Sequence, residues 1–160
     1  MPQLSEQEPA PAGATEDRLL EAGLVNDVEF LMARARSLGS LQANIELRPF
    51  DLKVRSYSLL ALACSDLGPS QRELADFLRL DPSQIVALVD QLQARNLVVR
   101  EPDPRDRRSK IISATAAGRK LQAQAAEGVR VAQDRSLSGL SETEQELLRN
   151  LLQRVAFESQ

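Results

Sequence analysis

Histidine is absent from this chain, and cysteine occurs once, at Cys64. Without imidazole and with one thiol, a zinc site of the His/Cys kind cannot be assembled, and no catalytic scheme can run on imidazole. One cysteine cannot close an intramolecular disulfide, and nothing in the cysteine usage suggests export. Glycine is scarce at 7 residues, too few for an elaborate loop-built active site. There is no glycine-rich phosphate loop and no motif that pairs carboxylates. No run of 18 apolar residues occurs, so no membrane span is expected. The N-terminus lacks a basic start followed by an apolar stretch, the mark of a secretory signal. A cytoplasmic protein with no catalytic residue, no metal and no cofactor is the expectation left by elimination.

What is present is ordinary in amount and unusual in placement. A length of 160 residues sets one domain, or one small domain with appended elements. The net charge is −3, but it is unevenly spread. Between Arg95 and Lys120 stand eight cations (Arg95, Arg100, Arg105, Arg107, Arg108, Lys110, Arg119, Lys120) against three anions, Glu101, Asp103 and Asp106. That segment carries +5, so the remainder carries −8. One basic region on an acidic body presents a single face to a polyanion.

Residues 1–14, with Pro2, Pro9 and Pro11, have little to bury and are expected to form a disordered arm. Apolar positions Leu20, Leu24, Val28, Leu31, Ala35, Leu38 and Leu41 step by three and four. They predict a helix starting near Thr15 or Glu16, with Gly39 as a point of interruption and an end at Leu47-Arg48-Pro49. A second helix is expected over about Lys53 to Cys64. Ser70 with Glu73 makes a capping box for a third, whose buried side is Leu74, Ala75 and Leu78. Asp81 caps a fourth, with Pro82 in its first turn and Gln84 able to reach back to the cap. Its buried stripe is Ile85, Leu88, Val89 and Leu92, and Asn96, tolerant of positive φ, is the expected stop. Leu97–Arg100 and Lys110–Ser113 then read as the strands of a hairpin with a long polar tip. Thr115 caps a fifth helix running to about Asp134, and a Ser141/Glu144 capping box starts a sixth, with Leu147, Leu148, Leu151, Leu152 and Val155.

Two short capped helices followed by a hairpin tipped with arginine make the layout of a winged helix-turn-helix. The expected fold is mainly α with a two-stranded wing. The boundaries are a 1–14 arm, a 15–50 dimerisation helix, a 51–114 DNA-binding winged domain, and 115–160 dimerisation helices. The apolar stripes of the terminal helices need cover, from each other or across a two-fold axis. A second copy is favoured, because one helix-turn-helix reads too little DNA to be selective.

In this order and spacing, Ser70-Gln71-Arg72-Glu73-Leu74-Ala75, Leu88-Val89-Asp90-Gln91-Leu92, Leu97-Val98-Val99-Arg100, Asp106-Arg107-Arg108 and Thr115-Ala116-Ala117-Gly118 resemble the MarR (multiple antibiotic resistance regulator) family of bacterial transcription factors. The resemblance covers roughly Val28 to Val155. It implies a homodimer on pseudo-palindromic double-stranded DNA, often a repressor, released by a small and often aromatic acid. It maps the Asp-x-Arg element of the wing onto Asp106 and Arg108, making Arg108 the minor-groove arginine and Asp106 its brace. Two departures stand out. Asn96 occupies a position where the family often has glycine, and Val86-Ala87 stands where it often has a Thr-Arg pair.

The DNA-binding residues expected on this basis are Ser70, Arg72, Ser83, Gln84, Val86, Ala87, Gln91, Arg105, Arg107, Arg108 and Lys110. A narrow A-T minor groove draws arginine in, and the remaining cations sit on phosphates. Asp90, an anion on the reading helix, is expected to orient a neighbouring arginine. Phe30, Arg34, Phe50 and Tyr57 are the candidate effector contacts, with core packing as the competing role for the rings. Cys64 reads as a packing residue. The competing function is a winged-helix protein-interaction module, which the missing arginine at Val86-Ala87 mildly favours and the +5 segment disfavours.

Overall fold

The structure is a computed structural model and describes residues 18–65, 67–104, 106 and 108–158. The chain divides into two compact units, Met1–Leu38 and Gly39–Gln160.

In the first unit Arg18 and Leu19 are helical, and a short 3-10 turn, Gly23–Asn26, precedes the next helix. That helix, α1, spans Val28–Leu47 and continues into the second unit. The one continuous helix that the apolar spacing predicts is broken over residues 20–27, and α1 is the part that follows the break. The Asp27 carboxylate accepts the Phe30 amide at 2.8 Å, and this local cap defines the start. Leu20 and Leu24 therefore precede the helix rather than extend its stripe. The expected arm over 1–14 and the caps Thr15 and Glu16 lie outside the described residues. Gly39 does not interrupt α1; one glycine costs a helix only about 1 kcal/mol, and the helix runs through it from Val28 to Leu47.

The second unit holds the core. After α1 ends at Leu47, Pro49 closes a 3-10 turn, Arg48–Phe50, and Asp51 takes a left-handed φ of 50°. Helix α2 covers Val54–Ala63, α3 covers Gln71–Leu78, and α4 covers Pro82–Ala94. The Ser70/Glu73 capping box forms as expected, with the Ser70 amide 2.7 Å from the Glu73 carboxylate. At α4 the Asp81 side chain takes the Ser83 amide at 2.7 Å together with the Ser83 hydroxyl, so Ser83, not Gln84, completes that cap. Asn96 has φ 56°, the left-handed stop its chemistry allows.

Strands β1 (Val98–Pro102) and β2 (Lys110–Ala114) pair antiparallel, with Arg100 opposite Ile112. The hairpin is pinned at its root, because the Ile112 amide donates to the Pro69 carbonyl at 2.8 Å. Helix α5 (Ala116–Ser136) starts where the Thr115 hydroxyl accepts the Gly118 amide. Gly118 lies against the Leu97 carbonyl so closely that a Cβ would stand 2.0 Å from that oxygen. Helix α6 covers Glu142–Gln153 and runs into a wider π-type turn, Arg154–Glu158.

Leu47, Leu59, Leu60, Leu74, Ile85, Val89, Leu92, Val98 and Ile112 are fully buried together, so α2, α3, α4 and the hairpin share one core. Helix α5 adds Ala125 to it, whereas α6 buries no residue. The α6 stripe of Leu147, Leu151, Leu152 and Val155 stays exposed.

Candidate nucleic-acid interface

Helices α3 and α4 stand as a helix-turn-helix joined by a tight corner, with Arg79 in a left-handed C-cap at φ 52°. The buried stripe of α4, Ile85, Val89 and Leu92, turns its other side outward. Ser83, Gln84, Val86, Ala87 and Gln91 all lie on that exposed side. At its start Asp81 holds both donors of Ser83, the hydroxyl first and the amide second, and these hold its carboxyl below the usual carboxylate range.

Arg100 on β1 is the hub of the site. Its Nε donates to Gln71 Oε1 at 2.8 Å, one terminal nitrogen to Gln93 Oε1 at 2.6 Å, and the other to Asp90 Oδ1 at 2.5 Å. One guanidinium thus joins the start of α3, the exposed side of α4 and the root of the wing. Asp90 has the orienting partner its charge required, and the partner is Arg100. The charge count in the sequence included Arg100 but held no signal of its use, because Gln71 and Asp90 reach it only through the fold.

The wing tip is organised on Asp106. Its carboxylate accepts the Arg108 amide at 3.0 Å and the Ser109 hydroxyl at 3.2 Å, and its carbonyl accepts the Ser109 amide at 2.9 Å. The brace acts on the backbone of Arg108 and leaves the exposed Arg108 side chain directed by the turn. Lys110 is also exposed at the first residue of β2. Arg105 and Arg107 lie outside the described residues.

Arg95 and Arg119 of the +5 segment serve the fold. Arg95 donates to the Asp51 carbonyl at 2.6 Å and the Phe50 carbonyl at 2.8 Å, tying the end of α4 to the corner after α1. Arg119 donates to the Cys64 carbonyl at 2.5 Å. Arg72 makes only a loose solvent-exposed pair with Asp76 at 3.9 Å, and Ser70 is occupied by its cap. Burial pushes the Cys64 thiol up, against a smaller opposing effect of Arg119, which suits packing rather than thiolate chemistry.

The four candidate effector residues fall in different places. Phe30 and Arg34 belong to the first unit, on α1. Phe50 and Tyr57 pack against the core of the second, the role that competed with ligand contact. The second unit also has an open groove of about 680 Å³ that none of the four lines. Leu62, Leu74 and Phe77 line it, with Phe157 stacked on Phe77 at 5.8 Å between ring centres. Among the described residues no cluster of His, Cys, Asp and Glu could hold a metal ion, and no helix is long and apolar enough to cross a membrane.

Comparison with known proteins places this geometry. A family model described as the MarR family matches residues 50–109. The crystal structure of a MarR-family transcriptional regulator from Rhodococcus sp. RHA1 is 41% identical. The match covers 87% of this chain and 100% of that one, with a TM-score of 0.79. CouR from Rhodococcus jostii RHA1, solved bound to p-coumaroyl-CoA, is 44% identical, with 88% and 98% covered and a TM-score of 0.79. A transcriptional regulatory protein assigned to the hcr operon of Thauera aromatica is 35% identical over 100 residues. Those are 62% of this chain, and the chain spans 60% of that relative's length.

Proposed function

This chain belongs to the MarR family, and from that premise we propose that it is a homodimeric, cytoplasmic repressor that releases a pseudo-palindromic operator when it binds a small aromatic ligand. The observation that carries the reading is the Arg100 hub. It holds a solvent-facing helix α4 and an arginine-bearing hairpin on one rigid frame, the geometry of a helix for the major groove with a wing beside it.

Dimerisation is proposed from the apolar residues one chain leaves uncovered. Leu147, Leu151, Leu152 and Val155 are exposed along α6 and its following turn, and Leu31, Leu38, Leu41 and Ile45 are exposed along α1. Exposed leucines at helical spacing favour a second copy, and a two-fold pair presents two reading helices to an inverted repeat. The dimerisation segments proposed are α1 and residues 115–160.

The ligand class rests on CouR, which binds p-coumaroyl-CoA. An aromatic acid or its thioester is proposed here, with Phe30 and Arg34 on α1 as contacts. An effector lowers DNA affinity only by binding the two states differently, and a tenfold release needs about 1.4 kcal/mol of coupling.

The test uses the full chain with a duplex carrying the inverted repeat nearest its own gene. Light scattering should give twice the chain mass. Binding should weaken steeply with salt, by about 0.9 in log K per phosphate contact for each unit of log salt. Addition of p-coumaroyl-CoA or p-coumarate should release the duplex. A monomer at micromolar concentration that ignores duplex DNA at low salt overturns the proposal and leaves the winged module as a protein-docking element.

A further inference from the structure

We infer that the base pairs this protein reads through α4 are A·T pairs, with no guanine contacted by that helix. The inference rests on α4 being the major-groove helix and adds what that helix can and cannot recognise.

The first ground is what α4 lacks. From Pro82 to Ala94 it has no lysine and no arginine. Guanine is most often read by two donors from one cationic side chain to O6 and N7, and this helix has no such side chain. Cytosine presents an amino donor that a carboxylate would accept. The one carboxylate on α4 is Asp90, and its Oδ1 is turned to Arg100 at 2.5 Å.

The second ground is what the fold has already spent. Gln93 accepts from Arg100, so its carbonyl oxygen is directed at the wing root and it cannot make the two-way amide pairing that adenine takes. Ser83 gives its hydroxyl hydrogen to Asp81, which leaves that oxygen only its lone pairs for a base. A lone pair there takes an amino hydrogen, from adenine or from cytosine, and gives nothing to the guanine acceptors.

What remains is one strip and one flank. Gln84, Ala87 and Gln91 follow one another at helical spacing and are exposed. Among the described residues neither the Gln84 nor the Gln91 carboxamide is held in a hydrogen bond. A glutamine amide matches adenine, donating to N7 and accepting from N6. Val86, 42% exposed, stands on the flank shared with Asp90 and Gln93 and offers only methyl groups. Val86 and Ala87 fit the thymine 5-methyl and reward no polar edge. Two free amides and two apolar side chains, on a helix with no cation and its one carboxylate paired to Arg100, point to adenine and thymine.

The test selects the preferred duplex from a random pool with the full chain, then substitutes single bases. Half-sites should be A·T at the positions under α4. Thymine to uracil there removes one methyl and should weaken binding about fourfold per site. Adenine to 7-deaza-adenine should weaken it about tenfold. Val86→Ala and Gln91→Ala, both at exposed positions, should each erase the penalty at their own base and leave the others. Dimethyl sulfate, which marks guanine N7 in the major groove, should find no guanine protected under α4. Specific binding with protected guanines there, or penalties unchanged in both variants, overturns this inference alone. Failure to bind any duplex overturns the DNA-binding reading itself, and this inference with it.

Discussion

Arg100 on β1 donates to Asp90 on α4 at 2.5 Å, and the arginine is the more buried partner, 21% exposed against 59%. The bond joins the root of the wing back to α4 across the turn that separates them in the chain. Asp90→Ala should leave Arg100 with Gln71 and Gln93 alone. Charged hydrogen bonds contribute about 1.5–3 kcal/mol when well buried, and the exposure of Asp90 lowers the expected loss to about 1 kcal/mol. Urea unfolding measures that loss. DNA affinity, read by fluorescence anisotropy, should fall about tenfold, because helix and wing no longer share one orientation. Undiminished affinity would show that the link is ornamental to binding.

Arg108 extends from a turn that Asp106 holds by its backbone. Arg108→Ala removes a side chain and leaves that turn intact. Melting temperature should not change, operator affinity should drop at least tenfold, and the salt slope should shrink by about 0.9 if the guanidinium neutralises a phosphate. An unchanged slope with lost affinity would point instead to insertion into the minor groove.

Gly118 tests the packing of α5 on the winged domain. A methyl there meets the Leu97 carbonyl oxygen at 2.0 Å, a backbone atom that cannot swing aside. Gly118→Ala should destabilise by about 3 kcal/mol and lower Tm by about 10 °C. Calorimetry that finds no shift would mean the helix can slide along its neighbour.

The helix caps predict the acid response. Ser83 hydroxyl and amide hold the Asp81 carboxyl low, and Ser141 hydroxyl and amide do the same for Glu144. Native values below the unfolded ones mean that this stabilisation is complete above about pH 4 and is lost as pH falls through the native values. Urea midpoints should therefore decline in acid. Asp81→Asn keeps an acceptor without the titration, so its decline should be shallower. An identical decline would place the acid sensitivity elsewhere.

Most element boundaries were legible in the chain. Ser70 with Glu73, Asp81 with Pro82, Thr115 with Gly118 and Ser141 with Glu144 are local chemistry, complete within a few residues, so their helices start where expected. Asn96 stops α4 for the same reason. The break between Leu19 and Val28 is not legible, because Leu20 and Leu24 keep a helical spacing across it and only Asp27 marks the new start. Gln84 takes no part in the cap of α4, because Ser83, one residue nearer, gives Asp81 both its amide and its hydroxyl.

The candidate site was only half legible. Exposure of Ser83, Gln84, Val86, Ala87 and Gln91 follows from the periodicity of α4, because burying Ile85, Val89 and Leu92 turns those five outward. The division of labour among the cations does not follow from any pattern. Arg95, Arg100 and Arg119 count alike in a charge tally, yet one caps the corner after α1, one ties the wing to both helices, and one closes the end of α2.

The order of residues alone determined which segments are helical, where a two-stranded ribbon must lie, and that positive charge gathers on it, because caps, periodicity and composition act over a few residues. Tertiary structure alone decided which charges are spent inside the molecule and which side chains are left to meet a partner. Gln71 lies 29 positions before Arg100 and Phe50 lies 45 before Arg95, and only a closed core brings such partners within hydrogen-bonding reach.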